Sequence, residues 1–325
     1  MEKVDVMEKT EKVEKKQEKN PRTAYGLAIL ELARADRNVV ALDADLCTST
    51  QSAQVEKNLP AQYFEMGIGE ANMASVAAGF ALCGKTPFIH TFAVFATGRP
   101  FDQIRQGICL PNLNVKIVGS SEGLSDFGDG ATHQCFEDMA LMSVLPNMTV
   151  LAPVDAAEVP KVVRAAAAIQ GPVYIRLNRN DLPLLTDEST PFEIGKPLVL
   201  AEGKDVAICV NGVTAGMGLA AREILSGQGL EARVVNFSTI KPLNEKIVRE
   251  ALGGVRALVT AEEHSVIGGL GAAIAGCLSK APLPTARVGI ADRYGQSSHS
   301  YEQLLEHYGL TPEAIAGAAR EILKA

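Results

Sequence analysis

From Pro21 onward the chain alternates short apolar runs with longer amphipathic segments. The runs Asn38–Leu42, Tyr63–Phe64, Pro87–Phe92, Val115–Gly119, Met148–Ala152 and Val173–Leu177 are rich in Val, Ile and aromatic residues, and each predicts a strand. Between them Arg22–Ala35, Ala71–Cys83, Arg99–Leu110, Cys135–Ser143 and Ala156–Ile169 predict helices. Strands without polar alternation, separated by helices, predict a mainly parallel sheet covered on both faces. A second series follows, with strands over 206–210, 232–236, 257–261 and 286–290, helices over 215–225, 245–251 and 269–278, and two terminal helices. The expected fold class is therefore α/β, as two consecutive three-layer units at 21–181 and 197–325. Residues 182–196 have turn residues and no period, which predicts a linker. Residues 1–20 are almost entirely Glu, Lys, Val, Met, Gln and Asp, too polar to bury a face, and predict a solvated tail.

Composition narrows the function classes. The 325 residues are 47% hydrophobic with a net charge of −7, and no basic cluster follows the first twenty residues. A nucleic-acid-binding face is not expected, while single arginines can still bind small anions. No uninterrupted apolar run approaches the length of a membrane span, and the charged N-terminus does not read as a secretory signal. The six cysteines are scattered, with no CxxC pair, as expected of free thiols in a reducing, cytoplasmic compartment.

The polar clusters Asp43–Ser49, Glu70, Phe92–Arg99, Asp129–His133 and Arg176–Asp181 follow strands or lie in the loops beyond them. In parallel sheets that edge is where ligands bind. Glu70 stands out. It follows Gly67 and Gly69 and opens a helix that is apolar nearly all round. Read locally, it is either a helix cap or a working acid. Gly128-Asp-Gly130 invites comparison with the diphosphate site of thiamine-diphosphate enzymes, but no Asn follows in the window 153–165, so it is not expected to hold a metal. The histidines outside that loop have no ligand spacing, and no metal is expected on this chain.

Taken in order, Gly67-Ile-Gly-Glu70, Thr91-Phe-Ala-Val-Phe95, Gly128-Asp-Gly-Ala-Thr-His-Gln134, Leu145-Pro-Asn-Met148, Gly171-Pro-Val-Tyr-Ile-Arg176, Asn236–Leu243 and Glu262–Gly271 resemble the C-terminal half of transketolase over residues 21–325. The resemblance implies a pyrimidine-binding domain followed by the transketolase C-terminal domain. It implies thiamine diphosphate, with Glu70 hydrogen-bonded to N1′ of the aminopyrimidine and Phe92 and Phe95 stacked on that ring. Asp45 and Leu46 match the residues beside the thiazolium. Asp129 and His133 match contacts to sugar hydroxyls, and Arg22, Ser49 and Arg176 match a terminal-phosphate site. It further implies a partner: an N-terminal subunit carrying the diphosphate domain and its Mg2+ or Ca2+, in an α2β2 heterotetramer acting on sugar phosphates.

Two departures stand in the sequence. The substrate-loop histidine of the family is missing, with Val118–Leu124 in its place, so a sulfonated ketose is an alternative substrate. Gly98-Arg99 stands near the place of a third pocket aromatic, and no family role carries over to Arg99 or Gln103. The other readings are a 2-oxo acid dehydrogenase beta subunit, a deoxyxylulose-phosphate-synthase-like enzyme, and an inactive scaffold subunit.

Overall fold

The computed structural model describes residues 18–324. The first unit carries β1 (Glu18–Lys19), β2 (Val39–Asp43), β3 (Tyr63–Glu65), β4 (Thr86–Phe92), β5 (Lys116–Ser120), β6 (Thr149–Leu151), β7 (Val173–Leu177) and β8 (Leu182–Pro183). The second carries β9 (Leu198–Ala201), β10 (Val206–Val210), β11 (Ala232–Asn236), β12 (Thr239–Lys241), β13 (Ala257–Ser265) and β14 (Thr285–Ile290). The larger sheet has the order β12-β6-β7-β5-β4-β2-β3, and the smaller one β14-β13-β10-β11-β9. Only the edge strands β12 and β9 run antiparallel within these sheets.

Strand β12 belongs by sequence to the second unit, yet it completes the sheet of the first. One apolar core joins the units: Leu42, Met73 and Ile117 pack in the same cluster as Val235, Phe237 and Leu258. On the other sheet face, the helices Pro21–Ala35 and Val159–Ala168 bury Tyr25, Ile29, Val162 and Val163 against Val118 and Ile175.

The structure departs from the sequence expectations in three places. The expected tail lies mostly outside the described residues, but Glu18–Lys19 pairs antiparallel with Leu182–Pro183, and Asn20 caps the first helix by accepting from Arg22 N–H at 3.0 Å. The expected linker is pinned at its start as well. The Asp155 carboxylate accepts from Leu185 and Thr186 N–H at 2.6 and 2.7 Å. The helix expected over Arg99–Leu110 is a single turn, Phe101–Gln103, that widens into a π-helical segment, Ile104–Cys109. Pro100 stands before it, and a separate short helix, Ala93–Thr97, grows directly from β4. Arg99 therefore lies in the turn between two helices.

Candidate active site

Glu70 is the first residue of the helix Glu70–Leu82. Gly67, at φ +64, makes the tight turn before it. The helix turns Met73, Ala74, Ala77 and Ala78 into the core. It is not enclosed all round as its composition suggested, since Leu82 is 74% exposed and Ile68, just before the helix, 75%. Glu70 itself is only 4% exposed and is ion-paired: Arg99 Nη1 lies 2.6 Å from its Oε1. A buried carboxylate needs such a partner.

Phe92 ends β4 and Phe95 follows one turn later. Their rings are near-parallel at 17° with centroids 6.1 Å apart. His133 meets both edge-on, at 6.1 Å from Phe92 and 5.3 Å from Phe95. Four of the candidates, Glu70, Phe92, Phe95 and His133, are thus linked through direct contacts once Arg99 is included, because its guanidinium carbon lies 4.0 Å from the Phe95 centroid.

A second cluster adjoins the first. Arg22, Asp129 and Arg179 line a cavity of about 390 Å³ together with Asp126, Phe127, Gly128 and Asn180. Arg22 donates from Nη1 to the Ser49 carbonyl at 2.8 Å and from Nη2 to the Arg179 carbonyl at 3.0 Å. Burial, followed by the nearby Arg179 charge, lowers the Arg22 pKa from its ordinary value. The Arg179 guanidinium carbon lies 6.0 Å from the Phe92 ring, so an arginine that lines this cavity also borders the aromatic pair.

Arg176 does not belong to this cavity, contrary to the sequence reading. It is 2% exposed and sits inside the sheet, with Nη1 2.9 Å from Glu122 and Nε 2.7 Å from Asp138. Its Nη2 donates to the Glu263 carbonyl at 2.8 Å, which ties the two units together. The arginine of this segment that lines the cavity is Arg179. Strand β7 ends at Leu177, so Arg176 lies within the sheet and Arg179 beyond its carboxyl edge. The run Leu177-Asn-Arg-Asn-Asp181 after the strand was the signal in the sequence.

Asp45 and Leu46 lie in the loop after β2, where Asp45 takes φ +63, a backbone region that Asp tolerates. The loop is organised by Asp43, which the sequence reading passed over as a site residue. Its buried carboxylate accepts from Leu46 N–H at 2.6 Å, Thr50 Oγ1 at 2.6 Å and Ser52 Oγ at 2.7 Å. Burial pushes its pKa up to about 6 against those hydrogen bonds. Glu65 then ties this loop to the Glu70 turn, accepting from Asp45 N–H at 2.9 Å and Gly67 N–H at 2.8 Å. Asp45 and Leu46 are therefore neighbours of the turn that carries Glu70.

The second unit holds the loop that carries Asp129 and His133. Glu263 accepts from Leu124 N–H at 2.7 Å, Ser298 N–H donates to the Phe127 carbonyl at 2.8 Å, and Gln134 Nε2 donates to the Gln296 carbonyl at 3.0 Å. Asp129 faces the cavity rather than any metal-binding group, and among the described residues no set of three or more His, Cys, Asp or Glu side chains is disposed to hold an ion.

The arrangement provides an acid near a stacked aromatic pair, a histidine on the edge of that pair, and a cavity lined by two arginines and two aspartates beyond it. Comparison with known proteins identifies the family. The pyrimidine binding domain of transketolase matches residues 17–184, and the transketolase C-terminal domain matches residues 195–315. A 6-deoxy-6-sulfo-D-fructose transketolase subunit of Clostridium sp. is 41% identical over 93% of this chain and 94% of its own length. Human transketolase is 34% identical over 93% of this chain but 49% of its own length. A solved structure described as a split gene transketolase, an inactive beta4 tetramer, superposes with a TM-score of 0.85 at 45% identity, covering 94% of this chain and 98% of that one. Sequence, fold and site together make this chain a member of the transketolase family, built of its pyrimidine-binding domain followed by its C-terminal domain.

Proposed function

We propose that this chain is the C-terminal subunit of a two-chain transketolase, transferring a two-carbon ketol unit from an anionic ketose to an aldose. The observation that carries the reading is the line of contacts from Phe95 through His133 and Phe92 to Arg179 and Arg22, with Glu70 joined to its Phe95 end through Arg99. It offers a ring site at one end and an anion site at the other. Relatives matched over nearly their whole length are themselves subunits: the Clostridium protein, and an apulose-4-phosphate transketolase subunit of Phocaeicola vulgatus, 34% identical over 93% of this chain and 97% of its own length. Those proteins are named for ketol transfer, which favours it over pyruvate decarboxylation or a scaffold role here.

The residues present fit half of thiamine diphosphate. An aminopyrimidine needs a carboxylate in its plane and aromatic faces beside it, and Glu70 with Phe92 and Phe95 supplies both. The diphosphate and its divalent metal need hard oxygen ligands. We assign those to the N-terminal partner. When bound, the cofactor supplies the electron sink for cleaving the bond next to the ketose carbonyl. On this chain Glu70 holds a hydrogen bond at the pyrimidine nitrogen. His133 and Asp129 orient sugar hydroxyls, and Arg22 and Arg179 anchor the terminal anion. The substrates named for the two relatives end in a sulfonate and a phosphate, and either anion suits an arginine pair.

The test is reconstitution with an N-terminal transketolase subunit, thiamine diphosphate and magnesium, and measurement of ketol transfer. The complex transfers and the single chain does not. Glu70→Gln lowers kcat by at least about a hundredfold while the complex still assembles. Transfer by the single chain, or full activity of the Gln variant, would refute the proposal.

A further inference from the structure

Arg99 carries two contacts that the mechanism above does not use. Its Nη1 donates to Glu70 Oε1 at 2.6 Å, and its guanidinium lies 4.0 Å over the Phe95 ring. These are the two groups assigned above to the aminopyrimidine: the Glu70 carboxyl, which would hydrogen-bond its ring nitrogen, and the face of Phe95. A guanidinium is planar, carries N–H donors along its edge and stacks on aromatic rings. It therefore occupies the Glu70 oxygen and the Phe95 face that a pyrimidine ring would need. Two such groups cannot share one face of Phe95, because stacked planes need about 3.5 Å of separation.

The side chain is also placed to leave. It is 48% exposed, while its partner Glu70 is 5% exposed. It hangs from the turn between Ala93–Thr97 and Phe101–Gln103, on a long stem that can rotate without moving either helix.

We propose that Arg99 is an internal placeholder for the aminopyrimidine. In the unpartnered chain it neutralises Glu70 and covers Phe95, and it must swing off both before the ring can bind. The proposal rests on reading Glu70 and Phe95 as the pyrimidine site. It makes the single chain resistant to the cofactor's ring and leaves that site to open when the partner and cofactor assemble.

The experiment is calorimetric titration of the full chain, alone, with free thiamine, which lacks the diphosphate and so needs no partner. Arg99→Ala binds thiamine at least about tenfold more tightly than the wild-type chain, and Arg99→Lys, which keeps the charge but not the planar group, falls between them. Glu70→Ala removes the gain when combined with Arg99→Ala. Should the alanine variant melt early, the lysine variant decides by the same criterion. Equal or weaker thiamine binding in the variants, undetectable binding included, overturns the proposal, since an Arg99 that walls the ring in would give that sign. The outcome is independent of ketol transfer: an inactive reconstituted complex would remove the enzymatic reading, and unchanged thiamine affinity would remove the role of Arg99 alone.

Discussion

Arg179 Nη1 lies 2.5 Å from the Asp126 carboxylate, a buried side chain that lines the same cavity. Burial raises the Asp126 pKa and the Arg179 charge opposes that rise. The cavity thus holds two arginines with two aspartates, Asp126 and Asp129, and one guanidinium is already compensated before any substrate arrives. A terminal group of low charge is better matched to this cavity than a dianion.

Asp126→Asn removes that compensation. With the assembled enzyme, KM for a phosphate-ended ketose falls by about tenfold relative to that for a sulfonate-ended one, and kcat changes little. Steady-state kinetics with the two donors in parallel reads the ratio. A variant that slows both donors equally would mean that Asp126 only supports the loop.

The two arginines of the β7 segment separate cleanly by phenotype. Arg179→Ala raises KM for anionic donors by about ten- to a hundredfold and, because Arg179 is itself partly exposed, destabilises the fold less than Arg176→Ala does. Arg176→Ala leaves Glu122 and Asp138 buried without their cation, and destabilises the fold by about 3–5 kcal/mol. Denaturant unfolding and kinetics on both variants check the assignment; the opposite pattern would restore Arg176 to the cavity.

His90 makes stability depend on pH. It is fully buried, with Nε2 2.5 Å from the Tyr25 hydroxyl and Nδ1 2.9 Å from the Leu42 carbonyl. Burial lowers its pKa to about 4, from 6.5 in an exposed histidine. Between those values the unfolded chain binds the extra proton. The contribution is complete above pH 6.5 and is lost as the pH falls towards 4, up to about 3 kcal/mol at roughly 1.4 kcal/mol per unit. Glu158 and Glu262, raised by burial to about 7, act in the other direction, gaining stability as the pH falls. Comparison with His90→Gln isolates the histidine: between pH 6.5 and 4 the wild type loses more stability than the variant in urea unfolding. Parallel curves for the two proteins would contradict the assignment.

Much of this was legible in the chain itself. The apolar runs located the parallel strands of both units because a strand buried on both faces cannot carry polar alternation. The edge strands β9 and β12 were not found. Both are antiparallel additions to a parallel sheet, and β12 pairs with β6, far away in sequence, so neighbours rather than composition select them. The Gly-x-Gly-Glu turn, the phenylalanines at i and i+3 and the Asp129–His133 run were visible because their spacing is local.

What the sequence determined by itself was the set of chemical groups and the side of the sheet they occupy, since strand ends and loop residues follow from local pattern. What only the tertiary structure decided was which of those groups meet. Arg176 and Arg179 are three residues apart, yet the end of β7 places one in a buried ion cluster and the other in the cavity. Arg99 and Glu70 are 29 residues apart and form an ion pair only because β4 and its short helix bring that turn over the start of the Glu70 helix. A charge-charge contact depends on distance in space, and the sequence records only distance along the chain.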